Sequence, residues 1–282
     1  MLQPPTLFKS LRPFSLVVAL VSCGLGVALA LLAQQGGGVR ATVIVLAGLL
    51  LQAGVNLIND QSDLPLLQGD ALEPVRRVIR RHTRWGMSCI GMSMLVGMVL
   101  VVDVGWSLVG LIVLGLIGAL GYTTEPLHYK RRGLGVPLVF WLMGVLMIVG
   151  AYHAMGAPLS WDVVWLSFPV SMLVALLLLS NELRDWESDC RQGVLTLTVR
   201  LGFARGCQLY LLMLASTYLL VLLLWQQGLL LRLWPLLPSV LLLPELIRLL
   251  AVPAEQRITL TPKSGRLLLV FGLLFACCLI SL

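Results

Sequence analysis

Charge is scarce in this 282-residue chain: Asp, Glu, Lys and Arg make up 12% of it, whereas soluble domains carry about 25%. A soluble surface needs roughly 25–35% charged positions, so a soluble globular enzyme is excluded. Metal-binding side chains of the zinc type are scarce too. The three histidines, His82, His128 and His153, fall in separate loops, and the six cysteines form no Cys-x-x-Cys pair. Zinc therefore has no evident site, and the cysteines read as small core residues rather than a redox centre. No low-complexity segment or linker interrupts the chain, so one membrane domain over residues 1–282 is expected.

Apolar residues are abundant, at 59% of the chain with a mean hydropathy of +0.95. Only helices and closed barrels satisfy every backbone polar group in lipid. The apolar runs are long and unbroken rather than alternating, which selects helices. At about 20 residues per crossing, spans are expected near 14–33, 41–59, 86–104, 106–122, 136–154, 163–180, 207–226, 229–247 and 266–282. The expected fold is an all-α polytopic membrane protein, about nine transmembrane helices around a central cavity.

The net charge of +7 and a pI near 9.4 reflect loop asymmetry rather than nucleic-acid binding. With those spans, eighteen of the twenty Lys and Arg fall on one side, leaving Arg40 and Arg232 on the other. By the positive-inside rule that side is cytoplasmic, together with the N-terminus, as in a bacterial inner membrane. Lys9 and Arg12 precede the first span as in a signal peptide, but no convincing cleavage site follows, so the span is expected to be retained.

Eight of the thirteen acidic residues fall in two groups: Asp60, Asp63, Asp70 and Glu73 after the second span, and Glu182, Asp185, Glu187 and Asp189 after the sixth. Four crossings separate the groups, so both reach the same surface. Asn56, Asp60 and Asp63 are spaced i, i+4, i+7, and Asn181, Asp185 and Asp189 are spaced i, i+4, i+8, so each trio projects from one helical face. A solvated loop balancing nearby arginines would be the plain explanation. Against it, like charges at i, i+4 destabilise a helix unless a cation binds between them. Two carboxylate faces across a cavity suit Mg²⁺, which takes oxygen ligands and shares substrate phosphates. The third cytoplasmic loop, residues 122–135, adds Tyr122, Tyr129, Lys130, Arg131 and Arg132, and Arg76, Arg77 and Arg184 lie in neighbouring loops. Arg grips phosphate oxygens bidentately and Lys offers a point charge, although the same residues could serve only topology and lipid head groups.

These residues resemble the UbiA superfamily of intramembrane prenyltransferases over nearly the whole chain, and most nearly its 1,4-dihydroxy-2-naphthoate prenyltransferase branch. The resemblance rests on Asn56-Leu57-x-Asn59-Asp60-x-x-Asp63, on Tyr122-Thr123 with Tyr129 and Gly133-Leu134-Gly135, on Asn181-x-x-Arg184-Asp185-x-x-x-Asp189, and on Gly193-x-x-Thr196-Leu197-x-Val199-Arg200-Leu201-Gly202. It implies a magnesium-dependent transfer of a polyprenyl group from its allylic diphosphate to an aromatic or quinone-precursor acceptor within membrane lipid. It assigns Asp60, Asp63, Asp185 and Asp189 to magnesium and diphosphate, with Asp63 and Asp185 central to catalysis. It makes Asn56, Asn59 and Asn181 polar helpers, Lys130, Arg131 and Arg184 diphosphate contacts with Arg76 and Arg77 nearby, and it puts Tyr122 and Tyr129 near the reacting carbon. The chain departs from the family pattern at Val194, where a lysine is usual, at Val136, where an acid is usual, and at Glu125. Leu67 stands where the ubiquinone branch carries a further carboxylate, with Asp70 three residues on.

Breaking an allylic C–O bond requires stabilising the departing diphosphate, which Mg²⁺ and basic groups can do. The allylic cation left behind needs a dry cavity, and aromatic faces stabilise it by roughly 0.5–2 kcal/mol each. Tyr122, Tyr129, Phe140 and Trp141 are candidates, though interfacial aromatics also act as anchors. A diverged paralogue that binds prenyl diphosphate without this acceptor is the first alternative, given Val194 and Val136. A carboxylate-coupled transporter is another, but transporters place binding groups near the midplane. A CDP-alcohol phosphotransferase would carry Asp-Gly-x-x-Ala-Arg, which is missing.

Overall fold

The computed structural model describes residues 5–61, 72–121 and 129–280, and these are helical throughout with short connections. Seven helices among them are long and apolar enough to cross a membrane: Leu7–Leu32, Gly38–Asn59, Glu73–Val104, Gly135–Ala154, Trp161–Arg184, Phe203–Gln226 and Ala254–Cys277. In chain order they are α1 (Leu7–Leu11) with α2 (Pro13–Leu32), α3 (Gly38–Asn59), α4 (Glu73–Val104), then α5 (Trp106–Gly121), which at 16 residues is short for a full crossing. Next come α6 (Gly135–Val139), a π-helical segment Phe140–Leu146, α7 (Met147–Ala154), α8 (Trp161–Arg184), α9 (Trp186–Gln192), α10 (Leu197–Leu201) and α11 (Phe203–Gln226). The chain closes with α12 (Leu237–Val240), α13 (Leu243–Leu250), α14 (Ala254–Arg257) and α15 (Leu260–Cys277).

The all-helical membrane architecture matches the sequence expectation; the expected count of about nine spans is not reproduced among the described residues, where seven helices are long and apolar enough to cross. The stretch expected as a span over 229–247 is divided between a 3₁₀ turn Trp234–Leu236, α12 and α13. Pro235, Pro238 and Pro244 each remove a backbone donor there and break the helix that hydropathy alone suggests. α4 begins at Glu73, well before the apolar run, because its arginine-rich first turns are also helical.

α8 is the central post, buried on most of its faces, and it packs against α2, α11, α15 and the π segment. α4 lies at the periphery, with no buried residue in its apolar window. Helices approach closely where side chains are absent. A Cβ on Gly54 of α3 would stand 2.7 Å from the Gly86 carbonyl oxygen of α4, and one on Gly86 would stand 2.8 Å from the Gly54 carbonyl oxygen. Small residues at such crossings replace the hydrophobic drive that lipid cannot supply. The result positions the C-terminal ends of α3 and α8, with Asn56 and Asn59 on one and Asn181, Glu182 and Asp185 on the other, at one end of a shared cavity.

Candidate active site

The cavity has a volume of about 1040 Å³. Its polar end is lined by Lys9, Arg12, Asn56, Asn59, Tyr129, Asn181, Glu182, Arg184, Asp185 and Asp189, with Ser15, Gln52, Thr196 and Thr261 also in the lining, and the remainder is mainly aliphatic side chains and glycine. The second acidic group thus reaches the cavity as its helical spacing predicts. Asp185 stands at the junction of α8 and α9, and Asp189 lies one turn on along α9. Gly193, in left-handed backbone with φ 67°, ends α9.

Arg184 grips Asp185 with two hydrogen bonds, Nε to Oδ1 at 2.8 Å and Nη2 to Oδ2 at 2.5 Å. Asp60 of the first acidic group does not itself line the cavity; it accepts a hydrogen bond at 3.0 Å from Nη2 of Arg12, which does. Arg12 adopts left-handed backbone, φ 48° and ψ 70°, at the elbow between α1 and α2. A non-glycine residue held there is strained, and the elbow is fastened by buried polar groups. Asn56 Nδ2 donates to the Leu11 carbonyl at 2.7 Å and to Ser15 Oγ at 2.6 Å, while its Oδ1 accepts from Gln52 Nε2 at 3.2 Å. Buried His82 Nδ1 meets Ser10 Oγ at 3.1 Å. The amide of Asn56 is therefore engaged in holding α1 against α3, and it aims Arg12 at Asp60.

Arg76 and Arg77 do not line the cavity. Arg76 pairs with Glu73 at 2.9 Å, Arg80 pairs with the same carboxylate at 2.5 Å, and Arg77 is exposed. Phe140 and Trp141 also stay out of the lining and pack edge-to-face with Phe168. Asp63, Asp70 and Tyr122, and the side chains of Lys130 and Arg131, lie outside the described residues.

Two residues that the spacing did not single out, Arg12 and Glu182, line the cavity, and a third, Arg257, holds α9 from outside it. Arg12 was placed only by its side of the membrane, yet the Arg12-Pro13 pair is a signal for a break before the first span, since a residue preceding proline avoids the helical region. Glu182 is 6% exposed. It accepts the Thr198 N–H at 3.1 Å, and its carbonyl accepts the Thr198 hydroxyl at 3.3 Å, which folds the return after α9 back onto α8. Arg257 of α14 is buried against the face of Phe203, 4.2 Å from the ring centroid, and pairs with Glu187 of α9. Burial alone would raise the Glu187 pKa, but the hydrogen bond and charge of Arg257, with Arg191, outweigh it and hold the carboxyl below its ordinary range. No sequence signal distinguishes Arg257 from its neighbours.

Among the described residues no three His, Cys, Asp or Glu side chains approach closely enough to form a metal cage by themselves. The donor chemistry nevertheless fits a magnesium ion shared with a diphosphate. Carboxylate and amide oxygens line one end of the cavity, and Mg²⁺ is typically held by one or two carboxylates plus waters and phosphate oxygens.

An integral membrane protein with an aliphatic cavity that ends in acids and bases is built for a long apolar molecule with an anionic head. Residues 19–259 match the UbiA prenyltransferase family, and the chain belongs to it. It is 27% identical over 217 residues to the 1,4-dihydroxy-2-naphthoate octaprenyltransferase of Haemophilus influenzae, covering 71% of this chain and 70% of that protein. It is 28% identical over 214 residues to the 2-carboxy-1,4-naphthoquinone phytyltransferase of Synechocystis sp., covering 73% and 69%. Its fold is similar to a UbiA homolog from Aeropyrum pernix (TM-score 0.61, 18% identity, 92% and 95% of the two chains). It is also similar to one from Archaeoglobus fulgidus bound to GPP and Mg²⁺ (TM-score 0.59, 15% identity, 96% and 99%).

Proposed function

We propose that this chain transfers a polyprenyl group from an allylic polyprenyl diphosphate to a naphthoate-type ring, 1,4-dihydroxy-2-naphthoate being the acceptor that its relatives' names favour. The observation that carries the reading is the two-part cavity: acids and bases gather at one end, and aliphatic walls extend from it. Asp60, Asp63, Asp185 and Asp189 are assigned to hold Mg²⁺, with Asn59 and Asn181 beside them. When bound, the ion would neutralise the departing diphosphate as a Lewis acid. Arg12, Arg184, Lys130 and Arg131 bind diphosphate oxygens, and Arg76 and Arg77 add positive potential at the mouth. Tyr122 and Tyr129 face the reacting carbon, and the aliphatic walls keep water from the allylic cation until the electron-rich ring attacks it. Residues 1–282 work as one domain. The polar end faces the cytoplasm with the N-terminus, a reading supported by the eighteen cations on that side.

The test is turnover by the purified protein. With Mg²⁺, a prenyl diphosphate and the naphthoate it should release pyrophosphate and yield a prenylated naphthol by mass spectrometry, and chelation of Mg²⁺ should stop both. Val136, which is 4% exposed in α6 where the family usually carries an acid, favours a second reading with another acceptor. Pyrophosphate release with a different phenol, and none with the naphthoate, would identify that case.

A further inference from the structure

α4 outruns the bilayer. At 1.5 Å per residue its 32 residues span about 48 Å, against a hydrocarbon core of about 30 Å. Its apolar part, residues 85–104, accounts for about 30 Å of that length, so residues 73–84 extend beyond the hydrocarbon as the same unbroken helix. That extension carries five arginines, no lysine and a single acid, Glu73. Glu73 pairs with Arg76 and Arg80. Among the described residues no acid pairs with Arg81 or Arg84. Arg84 has Arg80 at i−4 and Arg81 at i−3, and Arg81 has Arg77 at i−4. Like charges at these spacings destabilise a helix, and an anion lying among them removes the repulsion.

The arginines face outward. Val75, Ile79, His82 and Gly86 form the buried face of these turns, where Gly86 meets α3 and His82 meets Ser10 of α1. On the opposite face Arg81 and Arg84 head an exposed stripe that continues at helical spacing through Trp85, Ser88, Met92, Leu95, Val99 and Val102. Below the arginines only Ser88 is a polar side chain of the hydroxyl kind, and it donates to the Arg84 carbonyl of its own helix at 3.2 Å, so the stripe makes no polar demand on a hydrocarbon chain laid along it. Trp85 stands at the hydrocarbon boundary, the depth at which amphipathic rings settle. The Arg81 guanidinium lies over its ring, 5.1 Å from the centroid. Stacking fixes the plane of the guanidinium and leaves its edge N–H groups to donate.

We propose that Arg81, Arg84 and Trp85, flanked by Arg80, form a binding site for an anionic phospholipid of the bilayer. The lipid phosphate lies between Arg81 and Arg84, whose planar forks suit phosphate oxygens, and an acyl chain follows the apolar stripe. The union of a phosphate-gripping head with a bilayer-long apolar stripe commits the site to a lipid. Free phosphate would use the head alone, and a zwitterionic lipid would bring its own cation against the arginines. None of these residues lines the central cavity, so the site is separate from the prenyl-transfer reading and does not rest on it. Arg81 is adjacent to His82, so a bound lipid braces the turn that holds α1 through Ser10.

The experiment uses the full chain purified in a neutral detergent, with phosphatidylglycerol, phosphatidylcholine of the same acyl chains and inorganic phosphate added separately. Wild type is compared with Arg81→Gln/Arg84→Gln and with Arg205→Gln/Arg248→Gln, which removes the same charge from two exposed arginines elsewhere. Native mass spectrometry titrates lipid onto the folded protein, so a variant of lower stability still gives a Kd, and the rise in Tm on adding each compound is the second readout. Phosphatidylglycerol should raise the wild-type Tm by about 3 °C or more, with little rise from phosphatidylcholine or phosphate. Arg81→Gln/Arg84→Gln should weaken phosphatidylglycerol binding by about 10–30-fold, the scale for losing two arginines at a membrane surface, and Arg205→Gln/Arg248→Gln should bind as wild type does. Wild-type affinity in Arg81→Gln/Arg84→Gln, or an equal loss in the control, overturns the proposal. So does equal binding of the two lipids, or a Tm rise from inorganic phosphate that matches the one from phosphatidylglycerol.

Discussion

Arg257 and Glu187 form an ion pair of unequal halves: the guanidinium is 3% exposed and the carboxylate 37%. Glu187 lies between Asp185 and Asp189, on a short helix with no buried residue of its own, so the pair fastens α9 to α14. The inequality predicts which partner matters for what. Glu187→Gln leaves a buried cation without its counter-charge and should cost about 1–3 kcal/mol of stability, read as a lower Tm in detergent. Arg257→Met leaves only a carboxylate that water reaches and keeps the packing against Phe203. It should hold Tm within about 3 °C while lowering kcat about tenfold, because α9 is no longer held. The reverse order of effects would refute the clasp.

Asn56 is a prediction about role. Its amide is spent on Leu11, Ser15 and Gln52, so its loss should act through Arg12 rather than through metal. Asn56→Ala and Arg12→Ala should each raise KM for the prenyl diphosphate by about tenfold, and the double variant should be little worse than either single one, since coupled residues are not additive. Full additivity in steady-state kinetics would make Asn56 an independent ligand.

The second acidic group was legible from spacing because backbone hydrogen bonds carry the helical register across the α8–α9 junction, from Asp185 N–H to the Asn181 carbonyl and from Asp189 N–H to the Asp185 carbonyl, so residues at i, i+4 and i+8 stay together at the cavity. Asn56 shows what spacing omits: it gives the face of a helix but not the partner waiting there. Arg12 and Arg257 were legible only as cations on one side of the membrane. The positive-inside rule sorts charges by side and says nothing about whether a side chain turns inward. The broken segment over 229–247 escaped because average hydropathy does not register three prolines at helix-breaking intervals.

Arg184 and Asp185 give a third prediction. The bidentate pair presets both groups at the polar end, and Arg's planar fork has no equivalent in Lys. Asp185→Asn should lower pyrophosphate release by about 10²–10³-fold, the scale for losing one electrostatic group at a reacting centre. Arg184→Lys should lower it by about tenfold, chiefly through KM. Full activity in Asp185→Asn would remove that residue from the assignment.

The π segment offers the last prediction. Over Phe140–Leu146 the wall of the cavity bulges, and two contacts hold the bulge: Ser22 of α2 donates to the Met143 carbonyl at 2.9 Å, and Gly144 lies against Ser171 of α8. Such segments recur at functional sites, and here Leu142, Met143 and Leu146 line the cavity directly. Gly144→Ala would place a methyl 2.4 Å from Ser171 Cβ, closer than packing allows, and should cost about 1–3 kcal/mol. Ser22→Ala would leave the Met143 carbonyl without this donor, at a cost of about 1 kcal/mol. If contact with Ser171 is the cause, Ser171→Gly should restore part of the Tm lost in Gly144→Ala, because the Ser171 Cα would still stand 2.7 Å from the methyl, and none of that lost in Ser22→Ala. Equal rescue of both would mean that the segment responds to general loosening of α8 rather than to these two contacts.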